Sequence, residues 1–201
     1  MADFKTRRTL ILKIRDSGDA VAWGEFVELY TPLVFGFCRK RGLTEADASD
    51  VTQEVLRAIA IAIEKFEYDP EKGSFRSWFF TVARSKLYTF FDKKQRQPQA
   101  GGGTTMMRMI SETPDPSEEQ DWELDYRRQV FHWASERVKD KFSESGWKAF
   151  LMTAVEGKDP AETADELGMT RGAVYAVKAR VIAALKDEIA SVAGEGDLDV
   201  I

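Results

Sequence analysis

The fold of this chain is decided by the stretch Asp159-Pro160-Ala161-Glu162-Thr163-Ala164-Asp165-Glu166-Leu167-Gly168-Met169-Thr170. Asp159 can cap a helix, Pro160 fits the first helical position, and Glu162 can complete a capping box. Gly168 can take the left-handed conformation that ends this short helix, and Thr170 can cap a second one. The stretch therefore predicts two helices joined by a tight turn.

The second of these helices is predicted to have one apolar face and a cationic remainder. Its apolar residues recur at helical spacing and are Val174, Val177, Val181 and Leu185. From Gly168 to Lys186 the sequence contains four basic residues and no acidic one. A purely structural helical hairpin would show the same turn, but it would not need a cationic, acid-free second helix. The pattern is that of a helix-turn-helix whose second helix can enter the major groove of DNA.

Helical periodicity continues through most of the chain, and strand-like alternation is nearly absent, so we predict an all-α fold. Upstream helices are predicted over about 23–41, 45–66 and 74–96, and they form one domain over residues 1–96. Residues 122–193 form a second domain, in which helices over about 122–142 and 144–156 precede the helix-turn-helix.

The segment between these domains has a different composition. Residues 97–121 contain three prolines and Gly101-Gly102-Gly103, which predicts a flexible acidic linker. Within it, Met106 to Ile110 is either weakly ordered or docks on a partner. Residues 194–201 are predicted to be a disordered tail.

The charge of the chain is unevenly distributed. The net charge is −5, which alone argues weakly against a nucleic-acid partner. From Phe75 to Arg96, however, there are six basic residues and one acid, whereas the stretch from Gln97 to Tyr126 has one Arg and seven acids. Two cationic segments therefore flank an acidic one, and a cationic segment is what a phosphate backbone attracts.

Several classes of site are excluded by the residue inventory. The single cysteine, Cys38, lies in an apolar stretch and is predicted to be a buried thiol. His132 is predicted to be a packing residue. Together they make no metal site of recognised spacing, and the chain shows no nucleophile–base set and no glycine-rich phosphate loop. No apolar run approaches the length of a membrane span and no signal peptide is evident, so the cytosol is the expected location.

Aromatic and basic residues alternate in the predicted helix 74–96. Some of the aromatic rings must belong to the core, with Trp78, Phe79 and Val82 sharing helical spacing. The surplus rings either pack in the same core or stack on unpaired bases, as in proteins that hold single strands. Both interpretations remain open for any one ring.

These motifs together resemble the sigma-70 family of bacterial transcription initiation factors. Region 2 of that family is similar to Asp50-Val51-Thr52-Gln53-Glu54 with Glu64-Lys65-Phe66-Glu67-Tyr68, and to Gly73-Ser74-Phe75-Arg76-Ser77-Trp78 with Ala83-Arg84-Ser85-Lys86. The stretch from Asp159 to Leu185 resembles region 4.2. Two domains in this order with no third between them are typical of the extracytoplasmic-function (ECF) group.

The resemblance implies a non-enzymatic protein of the bacterial cytoplasm, without cofactor or metal, that binds core RNA polymerase and promoter DNA. Its partners on the polymerase would be the β′ coiled coil and the β flap, and an anti-sigma factor stays open as a further partner. The expected polymerase-binding residues are Asp50, Gln53, Glu54 and Arg57. The expected −10 residues are Arg76, Trp78, Arg84, Ser85, Lys86, Tyr88, Phe91, Lys93, Lys94 and Arg96. The expected −35 residues are Thr170, Arg171, Gly172, Tyr175, Lys178 and Arg180.

The chain departs from the family in some places, and two other functions are alternatives. Ser85 stands where many ECF members have Asn, and the segment from Lys5 to Asp16 is not part of the common core. A helix-turn-helix repressor with a sensing or dimerising N-terminal domain is the first alternative, but the face from Asp50 to Glu54 is charged where a dimer face should be apolar. An enzyme is the second, and it lacks any catalytic constellation.

Overall fold

A computed structural model describes residues 10–15, 19–65, 75–96 and 116–192. Over these ranges the chain is all-α and contains no strand, as the periodicity predicts. The helices are α1 (Leu10–Ile14), α2 (Ala20–Lys40), α3 (Glu45–Ala62), α4 (Phe75–Arg96), α5 (Pro116–Val138), α6 (Glu144–Phe150), α7 (Pro160–Leu167) and α8 (Arg171–Val192). Short 3-10 turns occupy Ile63–Lys65 and Lys139–Lys141, and a π-helical segment occupies Leu151–Val155.

The chain divides into two compact units, Leu12–Gln129 and Val130–Ile201, with Met1–Ile11 grouped with the second. The division falls inside α5, whereas the sequence suggested that residues from 122 onward belong to the C-terminal domain. The predicted linker also ends earlier than expected, because residues 116–121 are helical. The rest of that linker, with its Met106–Ile110 island, and the predicted tail lie outside the described residues.

The N-terminal unit is built around α2, α3 and α4. Asp19 caps α2 by accepting a hydrogen bond from the amide of Ala22 at 2.9 Å, and Thr44 caps α3 by accepting one from Asp47 at 3.2 Å. Gly42, with φ of +85°, makes the turn between these helices. Aliphatic side chains, mostly from α3, and aromatic rings from α2 and α4 fill the core, including Phe26, Tyr30, Phe37, Val51, Val55, Ile59, Phe75, Phe79, Phe80 and Leu87.

The first half of α5 completes this core. The indole of Trp122 lies 5.2 Å from the ring of Phe37, 5.6 Å from Phe79 and 5.7 Å from Phe80, measured between ring centroids. One helical turn later, Tyr126 stacks on Tyr30 at 5.9 Å. Both side chains are almost fully buried. Large aromatic rings contribute much of the buried area of a small core. The contacts of Trp122 and Tyr126 therefore explain why residues 116–129 belong to the N-terminal unit.

The C-terminal unit contains the helix-turn-helix that the sequence predicts. Asp159 accepts hydrogen bonds from the amides of Ala161 at 2.7 Å and Glu162 at 3.3 Å, so it caps α7. Gly168 ends α7 with φ of +62° and ψ of +32°, which is the left-handed conformation that glycine adopts without strain. Thr170 then accepts a hydrogen bond from Ala173 at 3.1 Å and caps α8. The small residue Ala164 is buried, as expected for two crossing helices.

Helix α8 supplies most of the core of this unit. Its buried stripe comprises Val174, Val177, Val181, Leu185, Ile189 and Val192. Gly146 of α6 lies against this stripe so closely that an added Cβ would come within 3.0 Å of Val177. The helix predicted over 144–156 is α6 followed by the π-helical segment, so its hydrogen-bond pattern widens in the second half.

Candidate nucleic-acid and polymerase interfaces

Helix α3 presents a polar face beside a buried apolar one. Asp50, Gln53, Glu54 and Arg57 are all exposed, while Val51, Val55 and Ile59 are buried in the core. Arg57 and Glu54 form a hydrogen-bonded ion pair one helical turn apart. The four predicted polymerase-binding residues therefore share one solvent-facing surface of a rigid helix. Ile61, with 71% of its surface exposed, lies beside this face and was missed by the sequence reasoning.

Helix α4 divides its aromatic residues between core and surface. Phe75, Phe79 and Phe80 are buried, which accounts for one core-facing stripe. The remaining rings, Trp78, Tyr88, Phe90 and Phe91, are half-buried. Of the predicted −10 residues, Ser85, Lys93 and Lys94 are exposed and Lys86 is half-exposed, while the side chain of Arg96 lies outside the described part of the chain.

Two of these α4 side chains contact a partner within the N-terminal unit. The guanidinium of Arg84 lies over the ring of Tyr88, with its carbon 4.5 Å from the ring centroid. The ammonium of Lys94 lies 3.0 Å from a carboxylate oxygen of Asp47, and this hydrogen bond lowers the pKa of the Asp47 carboxyl. Tyr88 is thus a half-buried ring covered on one face by a cation, which is compatible with stacking only on its other face.

The basic residues of α4 also contact acidic residues of α5. Arg76 lies 3.0 Å from a carboxylate oxygen of Glu123, and Arg84 lies 3.1 Å from one of Glu118. The hydroxyl of Ser77 donates to Glu119 at 2.7 Å. In consequence only 17% of the Arg76 side chain and 14% of the Arg84 side chain are exposed. Sequence reasoning assigned both cations to DNA and did not predict their acidic partners.

The same acidic helix contacts the end of α2. The carboxylate of Asp125 lies 2.6 Å from the ammonium of Lys40, and Glu118 also lies 3.4 Å from the guanidinium of Arg41. Trp122 and Tyr126 lie between the acids of α5, so an apolar seam is flanked on both sides by ion pairs. The segment predicted to be acidic linker and domain start is therefore bound to the cationic surface of its own unit.

The beginning of α8 is exposed and carries small residues around one arginine. Thr170, Arg171, Gly172, Tyr175 and Arg180, which the sequence predicts to contact the −35 element, are all exposed. The guanidinium carbon of Arg171 lies 5.7 Å from the centroid of the Tyr175 ring, and an Nη atom lies 3.4 Å from the phenol oxygen. Exposed alanines separate these residues, namely Ala173, Ala176 and Ala179. Small side chains therefore surround Arg171 and Tyr175 on this surface.

Lys178 differs from the other predicted −35 residues. Its ammonium donates a 3.2 Å hydrogen bond to the carbonyl oxygen of Thr153, in the π-helical segment. Thr153 in turn donates its hydroxyl to the carbonyl of Ala149 at 2.8 Å. Through this hydrogen bond Lys178 links α8 to the π-helical segment that precedes the helix-turn-helix.

The two residues that were candidates for metal or redox chemistry have ordinary surroundings. Cys38 is fully buried, and this burial raises the pKa of its thiol to about 11. His132 is exposed, so the prediction that it packs in the core was wrong; Val130 and Trp133 occupy the buried face of α5 and His132 falls on the opposite side. Within the described ranges no cluster of His, Cys, Asp and Glu could hold a metal ion. None of the described helices is both long and apolar enough to span a membrane.

Comparison with known proteins gives a match over most of α2 and the whole of α3 and α4. Residues 26–97 match the family described as Sigma-70 region 2. A stretch of 90 residues is 32% identical to the ECF RNA polymerase sigma factor RpoE of Cereibacter sphaeroides, covering 45% of this chain and 48% of that relative. The match therefore spans about half the length of the relative. Residues 26–97 are thus similar to Sigma-70 region 2, and about half of the chain is similar to an ECF sigma factor.

Proposed function

We propose that this chain is a transcription initiation factor of the sigma-70 family that binds core RNA polymerase and directs it to promoters. The observation that carries the proposal is the overlap between the region 2 match and the exposed polar face of α3. A domain that buries Val51, Val55 and Ile59 can display Asp50, Gln53 and Glu54 without loss of its core. The proposal assigns binding and no chemical step to this chain.

Polymerase binding is assigned to the α3 face, and the part of the polymerase that this face binds is the β′ coiled coil. A coiled coil offers long rows of charged side chains on its outer positions, which suits a helical face carrying Asp50, Glu54 and Arg57 together. Charged rims of this kind chiefly determine the association rate and the register of the complex. The exposed Ile61 beside them would add an apolar contact at the end of the same face. The contact of the C-terminal unit with the β flap rests on the family resemblance alone.

Recognition of the −10 element is assigned to α4. Lys86, Lys93 and Lys94 supply cations for phosphates, and Trp78, Tyr88 and Phe91 are half-buried rings with part of their surface accessible. Stacking on an aromatic ring is worth about 1–3 kcal/mol per base, so captured bases would offset part of the cost of melting. Arg76 and Arg84 belong to this surface once their acidic partners are displaced.

Recognition of the −35 element is assigned to the beginning of α8. Arg171 is exposed at the first position of the helix, where residues lie nearest the base edges. A guanidinium can donate two hydrogen bonds to a guanine, and the neighbouring Ala173 and Ala176 can contact thymine methyl groups. Arg180 would contact phosphate. Lys178 takes part only if its bond to Thr153 opens.

A matched pair of substitutions tests the polymerase contact. Glu54 and Glu136 each form an ion pair with a base three residues later, and each side chain is 54% exposed. Glu54→Ala should weaken binding to core polymerase, because Glu54 lies on the α3 face. Glu136→Ala loses the same charge and the same kind of local pair but lies outside that face, so it should leave the binding unchanged. Exposed ion pairs of this kind contribute little to stability, so both variants should remain folded.

The measurement is a fluorescence titration of labelled chain with core polymerase, followed by run-off transcription on a promoter library. Equal affinities for Glu54→Ala, Glu136→Ala and the parent would contradict the assignment of α3. Failure of the parent to bind polymerase, combined with sequence-specific binding to duplex DNA, would identify a helix-turn-helix regulator that is not a polymerase subunit.

A further inference from the structure

Four carboxylates of α5, which we call the acidic ridge, flank a buried aromatic seam. The acidic ridge consists of Glu118, Glu119, Glu123 and Asp125, and the seam consists of Trp122 and Tyr126. On a helix, positions 118 and 125 fall on one side of the seam and positions 119 and 123 on the other. The seam is inserted among Phe37, Phe79 and Phe80, so it holds the acidic ridge against α4 and the end of α2.

The acidic ridge occupies cations that the proposed function assigns to promoter DNA. Carboxylate oxygens lie 3.0 Å from Arg76 and 3.1 Å from Arg84, within the distance of a charge-assisted hydrogen bond. A phosphate oxygen makes the same kind of bond with a guanidinium. Since both arginine side chains are less than one-fifth exposed, a phosphate and the acidic ridge cannot hold them at the same time.

We propose that the first half of α5 is an internal competitor of promoter DNA, which covers the cationic surface of α4 until it is displaced. The proposal rests on the proposed function, because α4 must be a DNA-binding helix for the competition to matter. The buried seam anchors this competitor in the core, so it is held by apolar contacts as well as by ion pairs. Displacement must withdraw Trp122 from the core as well as break the ion pairs, so DNA alone competes poorly and the polymerase must supply part of the binding free energy.

The test measures binding of the full chain, without polymerase, to a labelled single-stranded oligonucleotide over a range of salt concentrations. Glu118→Gln with Glu123→Gln keeps the shape of both side chains and removes their charges. Each arginine released for a phosphate should steepen the plot of log K against log salt by about 0.7, or about 1.4 for two. Over the tenfold dilution from 1 M to 0.1 M salt this corresponds to an affinity gain of up to about 25-fold.

A charge-matched control separates competition from a general change in charge. Glu136→Gln with Glu144→Gln removes two exposed carboxylates from residues 130–192, outside the N-terminal unit. The proposal requires that the first double variant gain affinity and that the control not do so. No change in the first variant, or an equal gain in both, would overturn it.

A cross-link provides an independent test that does not depend on the glutamine variants. Ser77 and Glu119 are hydrogen-bonded at 2.7 Å, so Ser77→Cys with Glu119→Cys places two surface thiols that a short bismaleimide can join. Cys38 is buried and does not compete for the reagent. The cross-linked chain should lose binding to the oligonucleotide relative to the same variant with each thiol blocked separately. Equal binding by both forms would refute the competition.

The two proposals fail in different ways. If the parent chain does not initiate transcription with core polymerase, the proposed function is wrong. If the parent initiates transcription, and neither the glutamine variant nor the cross-link alters oligonucleotide binding, then only the role of the acidic ridge is wrong.

Discussion

Two tryptophans on one helix provide a test of how the chain is divided. Trp122 and Trp133 both lie on α5, are 2% and 4% exposed, and have indole nitrogens without a hydrogen-bond partner among the described residues. The division of the chain between Gln129 and Val130 assigns them to different units. Trp122→Ala should therefore destabilise α2, α3 and α4, whereas Trp133→Ala should destabilise α6, α7 and α8.

The expected magnitude follows from the surroundings of Trp122. Replacing a buried tryptophan by alanine costs about 3–5 kcal/mol through lost transfer free energy and the cavity that remains. The three ring contacts at 5.2, 5.6 and 5.7 Å favour the upper part of this range. The unsatisfied indole N–H works in the other direction, because its removal returns about 1–3 kcal/mol of desolvation cost. A net loss of about 3 kcal/mol is expected for the N-terminal unit, and a similar loss for the C-terminal unit from Trp133→Ala.

Hydrogen exchange followed by peptide mass spectrometry can locate the loss. A destabilisation of about 3 kcal/mol should speed exchange of the slowest amides of the affected unit by about two decades. Trp122→Ala should do so over residues 20–62 and 75–96, and Trp133→Ala over residues 144–192. Faster exchange mainly in α7 and α8 after Trp122→Ala, or an effect in the N-terminal unit below about 1 kcal/mol, would contradict this division.

Three further predictions concern single residues. Arg171→Ala should cost about 1–3 kcal/mol of binding to a −35 sequence and relax base preference at one position, as measured on a library of duplexes; a uniform loss over all sequences would indicate a phosphate contact instead. Gly168→Ala should destabilise the C-terminal unit by about 1–2 kcal/mol in chemical denaturation, because its φ is +62°, whereas Gly172→Ala on the open surface of α8 should not destabilise it. The thiol pKa of Cys38, about 11 against 9.0 without burial, means that the folded state holds this proton more tightly. The resulting stability is complete below pH 9 and falls by about 2 kcal/mol as the pH rises to 11, a loss that Cys38→Ala should lack in urea titrations.

The helix-turn-helix could be predicted from the sequence because its signals are local. Asp159, Gly168 and Thr170 determine where α7 and α8 begin and end through bonds to residues two to four positions away. The structure contains the capping hydrogen bonds of Asp159 and Thr170, and Gly168 has the left-handed conformation. The polar face of α3 is equally local, since helical spacing alone separates Gln53 and Glu54 from Val51 and Val55.

The partners of individual polar side chains could not be predicted, because they depend on tertiary contacts. Lys178 was expected at phosphate, and its helical position permits that, but a π-helical turn 25 residues earlier offers a carbonyl within its reach. His132 was expected in the core because its neighbours are apolar, yet a shift of one position on a helix turns a side chain by about 100°. The acidic partners of Arg76 and Arg84 lie 34 or more residues away in sequence, beyond any local pattern.

Helix α5 shows most clearly what hydrophobic periodicity leaves undetermined. Its buried residues Trp122, Tyr126, Val130, Trp133 and Val138 follow one drifting stripe, which the sequence presents as a single helix of a single domain. Periodicity states which side chains share a face, but it does not state which helices cover that face. Here the helices that cover the face change at Gln129, and Glu118 and Glu123, on either side of Trp122 in the sequence, form ion pairs with the arginines of α4. From sequence alone, the acidic residues of this segment predict a linker. The same residues are also complementary in charge to the cationic helix α4. The glutamine and cross-linking experiments test whether the contact between the acidic ridge and α4 lowers the affinity of the chain for DNA.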